Sequence, residues 1–306
     1  MTIRTPNPSA NRQSLLDLNR IKERLAAEQK KISSGNAISR LGEDPTGSAL
    51  IVDFRASVDR NNSYISQAKT AGYFLSSSET AASSMETSMV RLMELAQNGL
   101  NSNLTSTARA AAVSEVSAIR DRFLDLANTQ VQGKYIFAGT NTTTKPFSYN
   151  TLSTTPPVVY SGNSGVISLD VAASASVATN VPGSTLCFGS GGAGSSTDLF
   201  QAATDLMNGL SSSNLTQIQT AYGNLRTIHD QVNTVITDLG GRQAGLTTLQ
   251  ENLGAYNISL KAIQSSYEDL DYPSTITQFV SDQTSQQAAL SVMAKVNNQN
   301  LFNFLT

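Results

Sequence analysis

A chain of 306 residues is long enough for one to three domains and a core of ordinary size. Only 14% of it is charged, the formal net charge is -2 and the pI is about 5.5, which excludes the basic footprint of a nucleic-acid binder. A single cysteine (Cys187) and a single histidine (His229) exclude an intramolecular disulfide and a Cys/His zinc site, so no cofactor or metal is expected.

Tryptophan is absent and aromatic residues make up 6%, a composition of polar, elongated helices more than of one fat globule. The amino terminus lacks the apolar core of a cleaved secretory signal, and no run of about 18 apolar residues occurs, so neither Sec-type export nor membrane insertion is expected. A chain threaded unfolded through a dedicated secretion channel would look the same.

In chain order, Leu18, Leu25 and Ile32 come first, seven residues apart as on a coiled-coil seam. A long helix is expected over about residues 48–100. Ile51, Val58, Ile65, Gly72 and Met93 lie on one of its seven-residue registers, and Phe54, Ala68, Leu75, Ala82, Met89 and Ala96 on the other. The spacing predicts a third helix over residues 105–132, with Ala112, Val116, Ile119, Phe123, Leu126 and Ala127 on one face and Gly133 as its stop. A short strand should follow, in which Tyr135 and Phe137 share a face.

Residues 134–196 are rich in Thr, Ser, Gly, Val and Pro, with apolar stretches at 158–160 and 166–169, and read as a small inserted β domain. Helical character resumes after Thr197 or Asp198, either of which can cap a helix. The strongest periodic signal comes next: Ile218, Leu225, Val232, Leu239, Leu246, Leu253, Leu260 and Tyr267 recur at intervals of seven. At about 1.5 Å per residue this helix spans roughly 75 Å. Gly240, Gly241 and Gly245 each weaken it by about 1 kcal/mol relative to Ala, so a bend or break near Gly240 is one expectation.

Val280, Gln287, Ala294 and Leu301 repeat the interval near the carboxyl end, beside Ile276, Leu290 and Phe304. Both terminal segments are short and carry polar seam residues such as Gln283, Gln287 and Asn297, so they are expected to be loosely ordered in the free protein and to fold on assembly. Leu18, Leu25, Ile32, Ile276, Val280, Leu290, Leu301 and Phe304 are the expected assembly contacts. The fold class is mainly α: a long antiparallel coiled-coil rod built from both chain ends, with an inserted β domain. The expected divisions are residues 1–32 with 275–306 as terminal assembly helices forming a polymer core, 33–140 with 197–274 as the rod, and 141–196 as an outer β domain.

Candidate chemistry is sparse. The run from Gly189 to Gly194 matches G-x-G-x-x-G, but a dinucleotide site needs a βαβ unit with an acid about 20 residues on, and here helical sequence follows; a flexible Gly/Ser linker is the better reading. His229 lies beside the ladder residue Ile228 with no pocket to make it a base, and is read as a packing or hydrogen-bonding group. Glu268, Asp269 and Asp271 suit a helix boundary or a subunit contact, since Pro273 marks a chain break. Met85, Met89 and Met93 form a stripe of core filler. No catalytic residue is assigned, and the chain is read as not an enzyme.

Two terminal signatures carry a resemblance. Lys31-Ile32-Ser33-Ser34-Gly35 followed by residues 43–49 (Glu43-Asp44-Pro45-Thr46-Gly47-Ser48-Ala49) resembles the amino-terminal region of the flagellin superfamily. Tyr267-Glu268-Asp269-Leu270-Asp271-Tyr272, with Gln286-Gln287-Ala288-Ala289-Leu290 and Ala294-Lys295, is similar to the carboxyl-terminal region of flagellins and of the hook-associated protein 3 family. Residues 133–140 (Gly133-Lys134-Tyr135-Ile136-Phe137-Ala138-Gly139-Thr140), closed by Lys145-Pro146-Phe147, resemble the latter, the hook–filament junction family. One departure is Glu43-Asp44 where two aspartates are usual; either acid suits a helix amino terminus.

The resemblance implies a structural subunit of the bacterial flagellum. Such a subunit is exported by the flagellar type III apparatus with the help of an export chaperone and polymerised in a ring with copies of itself, between hook-associated protein 1 and flagellin. It covers about residues 1–147 and 200–306 and leaves the β insert unmatched. A flagellin-type filament subunit is the alternative; a secreted coiled-coil adhesin or effector is a more distant one.

Overall fold

The computed structural model describes residues 8–38, 42–101, 104–152 and 155–305, and side chains between residues 12 and 295. The helices are α1 (Pro8–Ser34), α2 (Pro45–Gly99), α3 (Ser106–Ala127), α4 (Gly183–Cys187), α5 (Leu199–Ser212), α6 (Leu215–Glu268) and α7 (Tyr272–Leu305). Between α3 and α4 lie the strands β1 (Gln130–Val131), β2 (Lys134–Tyr135), β3 (Phe147–Tyr149), β4 (Val158–Tyr160), β5 (Ser168–Ala172) and β6 (Ala175–Ala178). The chain divides into two compact units, Met1–Arg60 with Tyr256–Thr306, and Asn61–Ala255.

In the first unit α1 lies against α7. Gly35 adopts φ +74°, the left-handed conformation that ends a helix, and the chain there is tied down by the Leu270 N–H donating to the Gly35 carbonyl at 3.0 Å and the Ala37 N–H donating to the Glu268 carbonyl at 2.8 Å. The acidic cluster sits at this corner. Glu268 pairs with Arg55, Asp269 accepts from the Ser265 hydroxyl, and Asp271 Oδ1 accepts the Ser274 N–H at 3.2 Å, capping the first turn of α7. Asp271 thus marks a helix boundary, one of the two roles the sequence allowed, while Glu268 and Asp269 make side-chain contacts at the same corner.

The second unit is built on one apolar cluster that joins α2 (Leu75, Ala82, Met85, Met89, Leu92), α3 (Phe123), α5 (Phe200) and α6 (Leu225, Val232, Leu239, Leu246). The ladder holds over its first five members, Ile218, Leu225, Val232, Leu239 and Leu246, all fully buried; beyond them Leu253 is half-buried, Leu260 buried and Tyr267 44% exposed. Small residues at Ala68, Ala71, Ala82 and Ala96 lie buried among large ones, the alternation that lets long helices approach closely.

Helix α3 is shorter than expected. It starts where the Thr105 hydroxyl accepts the Ala108 N–H at 3.2 Å, and it ends at Ala127 rather than near residue 132. Gln132 and Gly133 take φ of 51° and 75°, the pair of left-handed residues of a two-residue hairpin turn, so Gly133 turns β1 into β2 instead of stopping a helix. The helix stops earlier because the Asn128 side chain donates to the Leu124 carbonyl at 2.8 Å and to the Phe147 carbonyl at 3.0 Å, and accepts the Phe147 N–H at 3.0 Å. Tyr135 and Phe137 do not share a strand face: β2 ends at Tyr135, and Ile136, Phe137 and Ala138 are buried in succession.

The insert consists of three antiparallel hairpins, β1–β2, β3–β4 and β5–β6, with no sheet wider than two strands among the described residues. Two-stranded ribbons are marginal alone. Here Phe147, Val158, Val171 and Leu186 belong to the same buried cluster as the helices, which supplies the missing partner surface.

The glycine run is ordered as well. Gly189–Gly191 form a 3₁₀ turn, and Asp198, fully buried, accepts the Gly194 N–H at 2.7 Å while capping α5 through the Phe200 and Gln201 N–H groups at 2.8 and 3.2 Å. The residues before the run form helix α4, not a strand, so the nucleotide-binding geometry is absent there.

Helix α6 runs unbroken through Gly240, Gly241 and Gly245, and a Cβ at any of the three would meet no atom within 4 Å. Each Gly→Ala change is therefore expected to stabilise the protein by about 1 kcal/mol, the intrinsic helix preference, read as a raised midpoint in thermal unfolding by circular dichroism.

Candidate assembly surfaces

Helix α1 turns Leu18, Ile21, Leu25, Glu28 and Ile32 inward at alternating steps of three and four, with Leu18 buried and the others half-buried. Helix α7 answers with Thr275, Phe279, Asp282, Gln286, Ala289 and Met293 at the same steps. Leu18, Leu25 and Ile32 are thus engaged within the chain. Ile276, Val280 and Leu290 are not: they are 47%, 52% and 48% exposed. At 100° per residue these three fall within an arc of about 80° that Gln283 and Gln287 share, a second stripe, partly apolar, beside the one that packs on α1. The side chains of Leu301 and Phe304 lie outside the described residues. Leu15 and Leu16 are also exposed on α1, and they stand off the seven-residue interval of Leu18, so periodicity alone carries no signal for them.

One polar group locks the helix pair. The Arg24 guanidinium grips Asp282 with both arms, Nε to Oδ2 at 2.7 Å and Nη2 to Oδ1 at 3.1 Å, and the Asp282 side chain is only 5% exposed. Separated by 258 residues in sequence, this pair had no local signal. The hydrogen bond from Arg24, helped by its charge, holds the Asp282 carboxyl below the usual carboxylate range. Glu28, nearby, is pushed the other way, first by burial and then by the Asp282 charge, and its Oε2 is buried without a hydrogen-bond partner.

The signs of the two groups are opposite. Asp282, with its folded pKa below the unfolded value of about 3.9, contributes stability that is complete above that value and is lost as pH falls through the folded one. Glu28, with its folded pKa above about 4.3, favours the folded pair when protonated and costs stability once ionised. Glu28→Gln is therefore expected to raise the melting temperature of the helix pair at pH 7 and leave it unchanged at pH 3, whereas Asp282→Asn lowers it at pH 7. Thermal circular dichroism of the full chain at the two pH values checks both.

In the second unit, His229 is half-buried, with Nε2 at 3.1 Å from Glu86 Oε1 and Asn233 Nδ2 at 3.2 Å from its Nδ1. Asp230 Oδ1 lies 3.7 Å from Nδ1 on the solvent side, 86% exposed, so the histidine joins two helices through Glu86 and is flanked by a hydrated carboxylate. Arg91 reaches Glu115 at 2.6 Å and Glu94 at 2.8 Å, an exposed network joining α2 to α3. Met85 and Met89 are fully buried filler. Cys187 is buried and desolvation pushes its thiol pKa far up, which makes it a poor nucleophile. Among the described residues no three His, Cys, Asp or Glu side chains gather as metal ligands, and no helix is long and apolar enough to cross a membrane.

Known proteins share this arrangement. Residues 4–142 match the model of the bacterial flagellin N-terminal helical region, and residues 222–305 match that of the flagellin C-terminal helical region. The chain is 26% identical over 295 residues to flagellar hook-associated protein 3 of Escherichia coli K12, covering 89% of this chain and 90% of that one. It is 24% identical over 294 residues to flagellar hook-associated protein 3 of Salmonella typhimurium LT2, with the same two coverages, 89% and 90%. The fold is also that of the flagellar junction protein of Legionella pneumophila, with a TM-score of 0.60 at 17% identity over 73% of this chain and all of that one.

Proposed function

The chain belongs to the flagellin family of helical proteins, and from that membership we propose that it is the structural subunit joining hook to filament in the bacterial flagellum. The observation that carries an assembly role is the second apolar stripe of α7. Ile276, Val280 and Leu290 remain in solvent after α1 and α7 have packed, so the terminal helix pair keeps an unused seam for further helices. Relatives matched along nearly their whole length, and named for the hook-associated position, favour the junction over the bulk filament.

In this reading the subunit works outside the cell, exported by the flagellar type III apparatus with the help of an export chaperone. It forms a ring with copies of itself, between hook-associated protein 1 and the first flagellins. Residues 1–32 with 275–306 build the polymer core and gain order on assembly, residues 33–140 with 197–274 form the rod, and residues 141–196 lie outward. Its work is mechanical and involves no catalysis. A filament subunit is the second reading, favoured by the two flagellin-region matches, which both kinds of protein share. Counting copies of this chain against hook protein and flagellin by quantitative mass spectrometry of hook-attached filaments decides between them. A few copies per appendage are expected; a chain making up most of the filament mass would overturn the junction role.

A further inference from the structure

The outer stripe of α7 carries a polar layer that nothing within the chain uses. Ile276, Val280, Gln283, Gln287 and Leu290 follow one another at steps of four and three, a heptad seam set about 100° round the helix from the one that packs on α1. Both glutamines are exposed, and among the described residues their side-chain amides have no hydrogen-bond partner. On the inner seam the polar residue is used: Asp282 takes Arg24 and so fixes which residues of α1 and α7 stand level. Counted from that pair, Leu16 stands level with Leu290, Asn19 with Gln287, Glu23 with Gln283 and Ala26 with Val280. These residues of α1 are all exposed, run at steps of three and four, and lie about 170° round the helix from the side that meets α7. Taken in opposite directions along the two helices, both stripes present a leucine, then two polar residues, then an aliphatic one.

We propose that the outer seam of α7 in one copy packs antiparallel on the outward face of α1 in the next, with Gln283 and Gln287 setting its register against Glu23 and Asn19. The inference rests on the reading of the chain as an axial subunit. Leu290 meets Leu16, and Val280 enters the shallow groove that the small side chain of Ala26 leaves beside Gln29, Lys30 and Ser33. Between these apolar layers the Gln283 amide donates to the Glu23 carboxylate, and Gln287 and Asn19 exchange amide hydrogen bonds. A slip of seven residues would set Gln283 against Leu16 or Lys30 and bury its amide unpaired, so the wrong register is rejected. Seam and face lie at different places on one chain, and the contact is therefore head-to-tail, the kind that repeats from copy to copy by a single operation. The same polar layers weaken the seam, which leaves the free chain monomeric until other contacts hold copies side by side.

The test is disulfide formation in purified hook–filament appendages that carry Asn19→Cys together with Gln287→Cys; buried Cys187 stays unreactive. On mild oxidation a ladder of covalent dimers and higher species is expected, with none from either single variant. Asn19→Cys with Val280→Cys, one heptad out of register and so about 10 Å away, is expected to give no ladder, since a disulfide needs Cβ atoms within about 4.5 Å. No ladder from the matched pair, or a ladder from the shifted one, overturns the contact. In parallel, Gln283→Glu sets two carboxylates against each other and is expected to reduce the copies retained on hooks at least about tenfold, while the monomer unfolds at an unchanged temperature. Adding Glu23→Lys to the same chain is expected to restore retention to within about twofold of wild type. Wild-type retention of Gln283→Glu, or no rescue by Glu23→Lys, overturns the inference. Absence of even the wild-type chain from appendages refutes the junction reading instead, which keeps the two failures apart.

Discussion

Phe147→Ala is expected to lower the unfolding free energy by roughly 3–5 kcal/mol, the cost of deleting a wholly buried aromatic side chain and leaving its cavity. Phe147 has no exposed surface, and its ring centre lies 4.9 Å from Tyr160, 5.8 Å from Phe188 and 5.9 Å from Phe200. Four segments, β3, β4, the end of α4 and α5, thus meet on one ring, and tilted or edge contacts of this kind add about 0.5–1.5 kcal/mol each beyond area burial. Against a typical domain stability of about 5–15 kcal/mol the loss is large. On the same hairpin, Val159 is 40% exposed, and Val159→Ala is expected to stay within about 0.5 kcal/mol of wild type. Urea unfolding followed by far-ultraviolet circular dichroism distinguishes the two. If the hairpins were an appendage with their own stability, Phe147→Ala would leave the helical transition in place. A single transition displaced to lower urea is expected instead, because Phe147 belongs to the core cluster that contains Leu225 and Val232.

The long helices were legible because a period of seven is a local property repeated many times. Ile218 to Leu246 are buried as the interval requires, and the intrinsic cost of Gly240 and Gly241 was too small to break a helix held by so many buried neighbours. The end of α3 is not legible in the local sequence because the decisive group is Asn128, whose partner Phe147 is 19 residues away. The pattern of the preceding residues continues past it. Glycine was ambiguous for the same reason: Gly133 fits a helix stop or a hairpin turn until its neighbour Gln132 is seen at φ 51°. The Gly189–Gly194 run looked like a linker because composition reports freedom of the backbone and says nothing of a buried acceptor such as Asp198 nearby. For the candidate site, the repeat of seven found seams at both ends but could not say which faced inward. Leu18, Leu25 and Ile32 turn to α7, while Val280 turns to solvent and Asp282, two residues on, takes the buried position.

Val280→Asp combined with Leu290→Asp should therefore abolish incorporation into appendages while leaving the free protein as stable as wild type to within about 0.5 kcal/mol. Both side chains are about half exposed on the stripe of α7 beside the one that carries Phe279 and Asp282, so the charges can stay hydrated in the monomer. In an assembled seam each would be an unpaired carboxylate among apolar neighbours, at a cost of several kcal/mol per subunit, and the cost recurs with every copy added. Removing the whole of α7 would be a poorer test, because it also strips the cover from Leu18 and leaves Arg24 without Asp282. The measurements are immunoblotting of purified hook–filament appendages and thermal unfolding of the secreted monomer. Normal unfolding with no incorporated chain is the expected result; incorporation at the wild-type level would place the assembly seam elsewhere, and a lowered melting temperature would mean that Val280 and Leu290 pack within the chain after all.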